Sequence, residues 1–201
     1  LEKDKASIAV IGPNADCIRC FFGGYSSVAM RELTVAAFSG RTDDKEQANA
    51  VAYGKYGDPE DMDSFAHYFY PDCISVYEAI TGTVSDKTHL HYAKGCGITD
   101  KSTGGFEEAV KAAAQSDVAI VVLGGIEGMG PDTTCGEGRD RMNLTLPGVQ
   151  QQLLEEVYRT GTPIVLVVIS SNPMDLTWAQ DHIPAIIQAW SPGQVAGNAI
   201  A

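Results

Sequence analysis

Positive charge is scarce in this chain. Its 14 Lys and Arg stand against 26 Asp and Glu, a formal net charge of -12 over 201 residues. No basic stripe exists to displace counterions from a nucleic-acid backbone, which argues against nucleic acid as a partner. The same deficit argues against an anionic membrane surface. Long apolar runs are also missing. Ile164 to Ile169 is the longest, far short of the ~20 residues that span a bilayer. The five cysteines, Cys17, Cys20, Cys73, Cys96 and Cys135, are odd in number and irregular in spacing, so they form no disulfide framework. Cys17 and Cys20 make a lone Cys-x-x-Cys that runs into Phe21-Phe22-Gly23-Gly24. A zinc site would need two further ligands at sensible spacing. The histidines, His67, His89, His91 and His182, show no metal-ligand spacing, and no metal is expected. Gly-x-Gly-x-x-Gly and the Walker pattern are both absent. Gly12-Pro-Asn-Ala follows the first apolar run instead, so a phosphate-bearing cofactor lacks its usual backbone cradle and none is expected.

What is present is a core. Hydrophobic residues make up 44% of the chain, which fits a globular α/β domain covering residues 1–201. Five apolar stretches read as buried strands: 7–12, 88–93, 117–123, 163–170 and 185–190. Runs without alternation fit strands covered on both faces. Helical periodicity lies between them, at 74–83, 106–115 and 147–160. The last has Val149, Leu153, Leu154 and Val157 on one face, Pro147 suited to a first helical position and Gly161 just past the end. Alternating strands and helices predict an open, mainly parallel sheet with helices on both faces, a flavodoxin- or Rossmann-like three-layer sandwich. Gly23 to Asp72 is a long polar excursion, with a short helix expected near Glu46 to Ala52. The final residues read as the first turns of another helix, so the domain is expected to be truncated at its C-terminus. The chain starts at Leu1 rather than Met, and its compartment stays open between cytoplasmic, periplasmic and secreted.

Residues 136–148 carry the most chemistry. They read Gly-Glu-Gly-Arg-Asp-Arg-Met-Asn-Leu-Thr-Leu-Pro-Gly. Glu137 stands between two glycines in a polar loop beyond the end of a strand, where it can reach out of its own domain. That placement suits a general acid/base acting on something bound outside the sheet. Glu127, in Gly124-Gly-Ile-Glu-Gly-Met-Gly130, is the second candidate, and Asp132 ranks behind both. Arg139 and Tyr25 are candidate substrate contacts. Tyr25 follows Gly23-Gly24 beyond the first strand, on the edge where open α/β sheets bind ligands. Asp140 and Arg141 read as an ion pair anchoring the loop. Trp178 and Trp190 have apolar neighbours that favour burial over a ligand platform. Asn143-Leu-Thr145 matches a glycosylation sequon.

Six pieces occur in order along nearly the whole chain. They are Ile8-Ala-Val-Ile-Gly-Pro-Asn-Ala-Asp16, Gly23-Gly-Tyr-Ser26, Tyr92-Ala-Lys-Gly-Cys96, Asp117-Val-Ala-Ile-Val-Val-Leu-Gly124, Gly136-Glu-Gly-Arg-Asp-Arg141 with Leu146-Pro-Gly-Val-Gln150, and Ala189-Trp-Ser-Pro-Gly-Gln194. Together they resemble the second, C-terminal-side α/β domain of glycoside hydrolase family 3; Arg31 to Asp72 carries no matching motif. The resemblance implies a retaining β-glycosidase acting on carbohydrate, with Glu137 as its general acid/base. It also implies that the nucleophile, an Asp, belongs to a separate N-terminal barrel domain absent from this chain. On that reading the chain is half an active site, inactive alone, and its uncovered interface favours a homodimer. The competing reading is a non-catalytic small-molecule binding or interaction module of flavodoxin-like fold.

Overall fold

The computed structural model describes residues 5–39, 62–128 and 133–201. The helix expected near Glu46 to Ala52, and Asp132, lie outside these residues. Among them, five strands form one wholly parallel sheet: β1 (Ser7–Ile11), β2 (His89–Ala93), β3 (Val118–Gly124), β4 (Ile164–Ile169) and β5 (Ala185–Gln188). Their spatial order is β2-β1-β3-β4-β5. The described helices are α1 (Ser27–Ser39), α2 (Met62–Phe69), α3 (Val76–Thr83), α4 (Phe106–Ala114), α5 (Gln150–Tyr158), α6 (Thr177–His182) and α7 (Ala196–Ile200).

The central strands β1, β3 and β4 are covered on both faces, and this is why they read as unbroken apolar runs, whereas the edge strands β2 and β5 are only partly buried. Every residue of β3 is buried. Ile8, Val10, Ile120, Val122, Val167 and Ile169 pack on one face with Ala66 of α2, Val76 and Ile80 of α3, and Ala196 of α7. Ala9, Ile11, Val121, Leu123, Leu166 and Val168 face the other way, against Ala109 and Ala113 of α4 and Leu153, Leu154 and Val157 of α5. The chain runs outward from β1 to β2, then crosses back to β3 and continues to β5. Its direction reverses between β1 and β3, and the crevice beyond their carboxyl ends is where such sheets take ligands.

Local chemistry sets the helix ends. Ser75 accepts from the backbone N–H of Glu78 at 3.1 Å while Glu78 accepts from the N–H of Ser75 at 2.8 Å. This reciprocal cap starts α3. Three expectations need correction. The excursion from Gly23 to Asp72 contains two helices, α1 and α2. α5 starts at Gln150 rather than Pro147, because Gly148 adopts a left-handed φ of 57° and its turn is bonded from Val149 N to Asp100 O at 3.1 Å. β5 stops at Gln188, because Trp190 also takes a left-handed φ of 58°. Trp190 is pinned there by the N–H of Ser170, which donates to its carbonyl at 3.1 Å. On the first face an apolar groove of about 500 Å³ lies over the β4–β5 side, lined by Ile80, Val84, Val165, Val167, Ile187 and Ile200.

The end of β3 tolerates no side chain at Gly124. Its φ is 145°, and a Cβ built there would lie 1.8 Å from the carbonyl oxygen of Ile169 on β4. Gly124→Ala should therefore lower unfolding stability by about 2 kcal/mol or more, read as a reduced urea midpoint. An unchanged midpoint would contradict the packing at this strand end.

Candidate active site

Beyond Gly124 the chain folds back on itself. Gly128 N donates to Cys135 O at 3.0 Å and Thr134 N to Ile126 O at 2.8 Å. Gln150 holds the base of this loop from α5. Its amide oxygen accepts from Gly124 N at 2.8 Å, and its amide nitrogen donates to Gly124 O and to Ile98 O, each at 2.8 Å. A buried side-chain amide thus replaces the strand neighbour that the end of β3 lacks. On the β1 side, Asn14 donates to Gly125 O at 3.3 Å.

Arg19 ties the pieces together. It lies in the 3-10 turn Arg19–Phe21 after β1 and is 0% exposed. Its guanidinium meets Glu32 of α1 through two bonds, Nε to Oε1 at 2.5 Å and Nη2 to Oε2 at 2.7 Å. It also donates to Phe22 O at 2.9 Å and to Glu127 O at 2.8 Å. Its own backbone N–H donates to Asp63 of α2 at 2.8 Å. A fork of N–H donors satisfied this fully is the arrangement a buried charge requires. The Cys-x-x-Cys around it serves packing. Cys20 is buried, and that burial, with the neighbouring Cys17 side chain adding to it, pushes the thiol well above its ordinary range; the thiol donates to the Cys17 carbonyl at 2.8 Å. Burial likewise raises Cys73 and Cys96 to about 11. These are inert thiols rather than redox groups. Among the described residues no cluster of three His, Cys, Asp or Glu side chains could hold a metal.

Glu137 sits at the top of a tight turn. Gly136 and Arg139 form a bridge, with Arg139 N donating to Gly136 O at 3.0 Å. Gly138, third in the turn, has a φ of 70°, while Glu137 is not among the positive-φ residues. That is the type II pattern, in which glycine meets the positive φ. Gly136 is not a loose hinge. A Cβ there would lie 1.9 Å from Gly128 O, so it is glycine for lack of space. The turn lifts Glu137 into solvent. There Tyr25, from the loop after β1, donates its hydroxyl to Glu137 Oε2. Tyr25 is 74% exposed. Its hydroxyl is held above the ordinary phenol range by that hydrogen bond first, then by the negative charge of Glu137, with a smaller contribution from Glu127.

Glu127 is half-buried at the mouth of the switch point. Its carboxylate rests on the Gly23–Gly24 backbone, so that a Cβ on either glycine would lie 3.1 or 3.2 Å from its oxygens. Beside it opens a groove of about 450 Å³ lined by Glu127, Arg139, Asp140, Arg141, Ser171 and Asn172, within the size range of small-molecule sites. Arg139 donates to Thr133 O at 2.8 Å. Arg141 does not pair with Asp140; it donates to Thr145 O and, at 3.2 Å, approaches the Met174 sulfur. Ser171 and Ser191 share a hydroxyl contact across the β4 and β5 ends. Trp190 is 49% exposed rather than buried, because the left-handed turn throws it off the strand. Trp178 is partly buried and stacks on His182 at 4.4 Å.

The structure therefore brings Tyr25, Glu127, Glu137 and Arg139 to one edge. The residues that sequence reasoning missed are Arg19, Glu32, Gln150, Ser171 and Asn172. Gln150 alone carried a signal, as the end of the Leu146-Pro-Gly-Val-Gln150 piece. Carboxylates and guanidiniums line an open groove at the switch point of a parallel α/β sheet, with the Tyr25–Glu137 pair on the adjoining loops. The sequence model of the Glycosyl hydrolase family 3 C-terminal domain matches residues 1–201, and the chain belongs to that family. It is 38% identical over 131 residues to a beta-xylosidase from Formosa agariphila, covering 65% of this chain and 17% of that protein. It is 28% identical over 219 residues to a periplasmic beta-glucosidase from Salmonella typhimurium, covering 99% of this chain and 23% of the relative. Among solved structures, a GH3 exo-beta-xylosidase in complex with a xylobiose aziridine activity-based probe superposes with a TM-score of 0.67 at 28% identity, over 100% of this chain and 20% of that one. The chain thus spans about a fifth of the length of these relatives.

Removing one partner of a buried ion pair strands the other charge, at a cost of about 3–5 kcal/mol. Arg19→Met and Glu32→Leu should each lower stability on that scale in urea titrations, and the double variant should recover much of the loss. Equal and additive losses would show that the pair does not act as one buried unit.

Proposed function

We propose that this chain is the acid/base-bearing domain of a retaining β-glycosidase that removes terminal β-linked sugars from oligosaccharides or glycosides. The observation that carries this reading is Glu137, exposed at the tip of a fixed turn on the ligand-facing edge and held by a tyrosine from the opposing loop. The names of the relatives, beta-xylosidase and beta-glucosidase, supply the substrate class. The partner is an N-terminal barrel domain of the same protein that contributes an Asp nucleophile. The chain alone lacks that group and is inactive, and its apolar groove favours self-association into a homodimer. In the assembled site the barrel carboxylate attacks the anomeric carbon while Glu137 protonates the departing oxygen. Glu137 then takes a proton from the water that releases the sugar. This chemistry needs the two carboxyl groups roughly 5–5.5 Å apart across the bond. Arg139, which lines the groove, and Tyr25, on the neighbouring loop, are the sugar contacts in this reading.

Glu127 supports a second reading. Its carboxylate is half-buried at the strand end, rests on the Gly23–Gly24 backbone and lines the groove. Leaving-group dependence separates the two. In the full-length enzyme, Glu137→Ala should slow substrates with poor leaving groups roughly 10²–10⁴-fold, spare activated aryl glycosides in the glycosylation step, and respond to azide with restored turnover. Glu127→Ala should show neither pattern. Uniform losses for Glu137→Ala without azide rescue, or rescue in the Glu127 variant, would move the acid/base away from Glu137.

A further inference from the structure

We propose that Tyr25 is a positioning residue for Glu137, its hydroxyl orienting the carboxylate through the two halves of the reaction. The inference rests on the reading of Glu137 as acid/base. Its basis is geometric. Tyr25 and Glu137 are 112 residues apart in sequence, yet the loops after β1 and β3 bring them together across the switch point. Each is held by its own turn. On the Tyr25 side, Ser26 N donates to Gly23 O at 3.1 Å and Ala29 N donates to Ser26 Oγ at 3.3 Å. On the Glu137 side, the Gly136–Arg139 bridge closes the turn. The side chains are thus aimed at each other from fixed backbones.

The surrounding charges leave this role to the tyrosine. Glu127 faces the pair from the β3 end and adds negative charge. Asp140 and Cys135 follow and precede Glu137 in the same loop. The guanidinium of Arg139 donates to Thr133 O and that of Arg141 to Thr145 O. Among the described residues, Tyr25 is the donor that Glu137 meets. In the first half-reaction, protonated Glu137 gives its proton to the glycosidic oxygen. The carbon–oxygen bond breaks with its electron pair on that oxygen, and the sugar becomes bonded to the barrel carboxylate. Glu137 is now an anion, and the Tyr25 hydroxyl donates to it. In the second half, water bonds to the anomeric carbon, the ester to the barrel breaks, and the water proton passes to Glu137. Tyr25 keeps its own proton throughout. The hydroxyl keeps the carboxylate aimed at the same point while it passes from proton donor to proton acceptor.

The test is Tyr25→Phe in the full-length enzyme, which keeps the ring and any stacking on sugar. Tyr25→Phe should lower kcat several-fold for substrates with poor leaving groups, which need a well-aimed proton, and much less for activated aryl glycosides, with KM little changed. No loss, equal losses on both substrate types, or a change confined to KM overturns the inference. Azide rescue of Glu137→Ala keeps the two readings apart: rescue with no leaving-group dependence in Tyr25→Phe defeats the tyrosine's role alone, whereas absent rescue defeats the reading of Glu137. Tyr25 can also be read directly in this chain. In Glu137→Gln the Tyr25 phenol, isolated as the absorbance difference from Tyr25→Phe/Glu137→Gln, should ionise at lower pH than in wild type. An unchanged tyrosinate titration would show that the two groups are not bonded.

Discussion

The guanidinium of Arg19, sealed from solvent, is the fixed point of the carboxyl edge. It joins the turn after β1, helix α1 through Glu32, and the loop after β3 through Glu127 O. The backbone of the same residue reaches Asp63 on α2. Burying two charges costs several kcal/mol each in desolvation, and only a bidentate pair with every donor satisfied offsets that. The geometry is therefore all-or-none: the loops that carry Tyr25 and Glu127 cannot drift apart without stranding a buried charge. A sheet fixes where its strands end, but it leaves the loops beyond them free. Arg19 removes that freedom where the ligand groove opens.

The rest of the edge is built outward from this point. Gln150 closes the unpaired end of β3 from the α5 side, and the missing side chain at Gly124 lets β3 and β4 stay in contact to their last residue. The returning segment after β3 then pairs with Glu127 and presents the turn bearing Glu137. A carboxylate on such a turn can serve a substrate bound in another domain, because its backbone is held while its side chain stands in solvent. This separates two demands that conflict within one compact core: rigid support and an exposed reactive group.

Strands were legible in the sequence because burial on both faces removes polar alternation, and β1, β3 and β4 fall within a residue of the expected bounds. α4 was legible through its amphipathic pattern. α1 was not, because Ser27–Ser39 lies inside a stretch rich in Gly, Tyr, Asp and Lys and offered no clear stop signal. Pro147 pointed to a helix start three residues early, since the left-handed Gly148 turn intervenes. Arg19 was invisible for a physical reason: a lone Arg between cysteines is by default a surface residue, and its partner lies 13 residues on, in a region without recognisable pattern. Glu137 stood out only through its glycines and the family resemblance, and the close packing of Gly136 against Gly128 O has no local signal in the sequence. The meeting of Tyr25 with Glu137 depends on a crossover that no local pattern encodes.

The central claim is that this edge delivers the Glu137 carboxylate to the bond being broken. A crystal structure of the full-length enzyme with a sulfur-linked substrate analogue, which binds but is not cleaved, tests it most directly. The account predicts a Glu137 carboxylate oxygen at roughly hydrogen-bond distance from the linking atom, about 2.6–3.2 Å or slightly longer for sulfur, with the barrel carboxylate on the opposite side of the anomeric carbon. Finding Glu127 or a barrel residue at that position, with Glu137 turned into solvent, would contradict it.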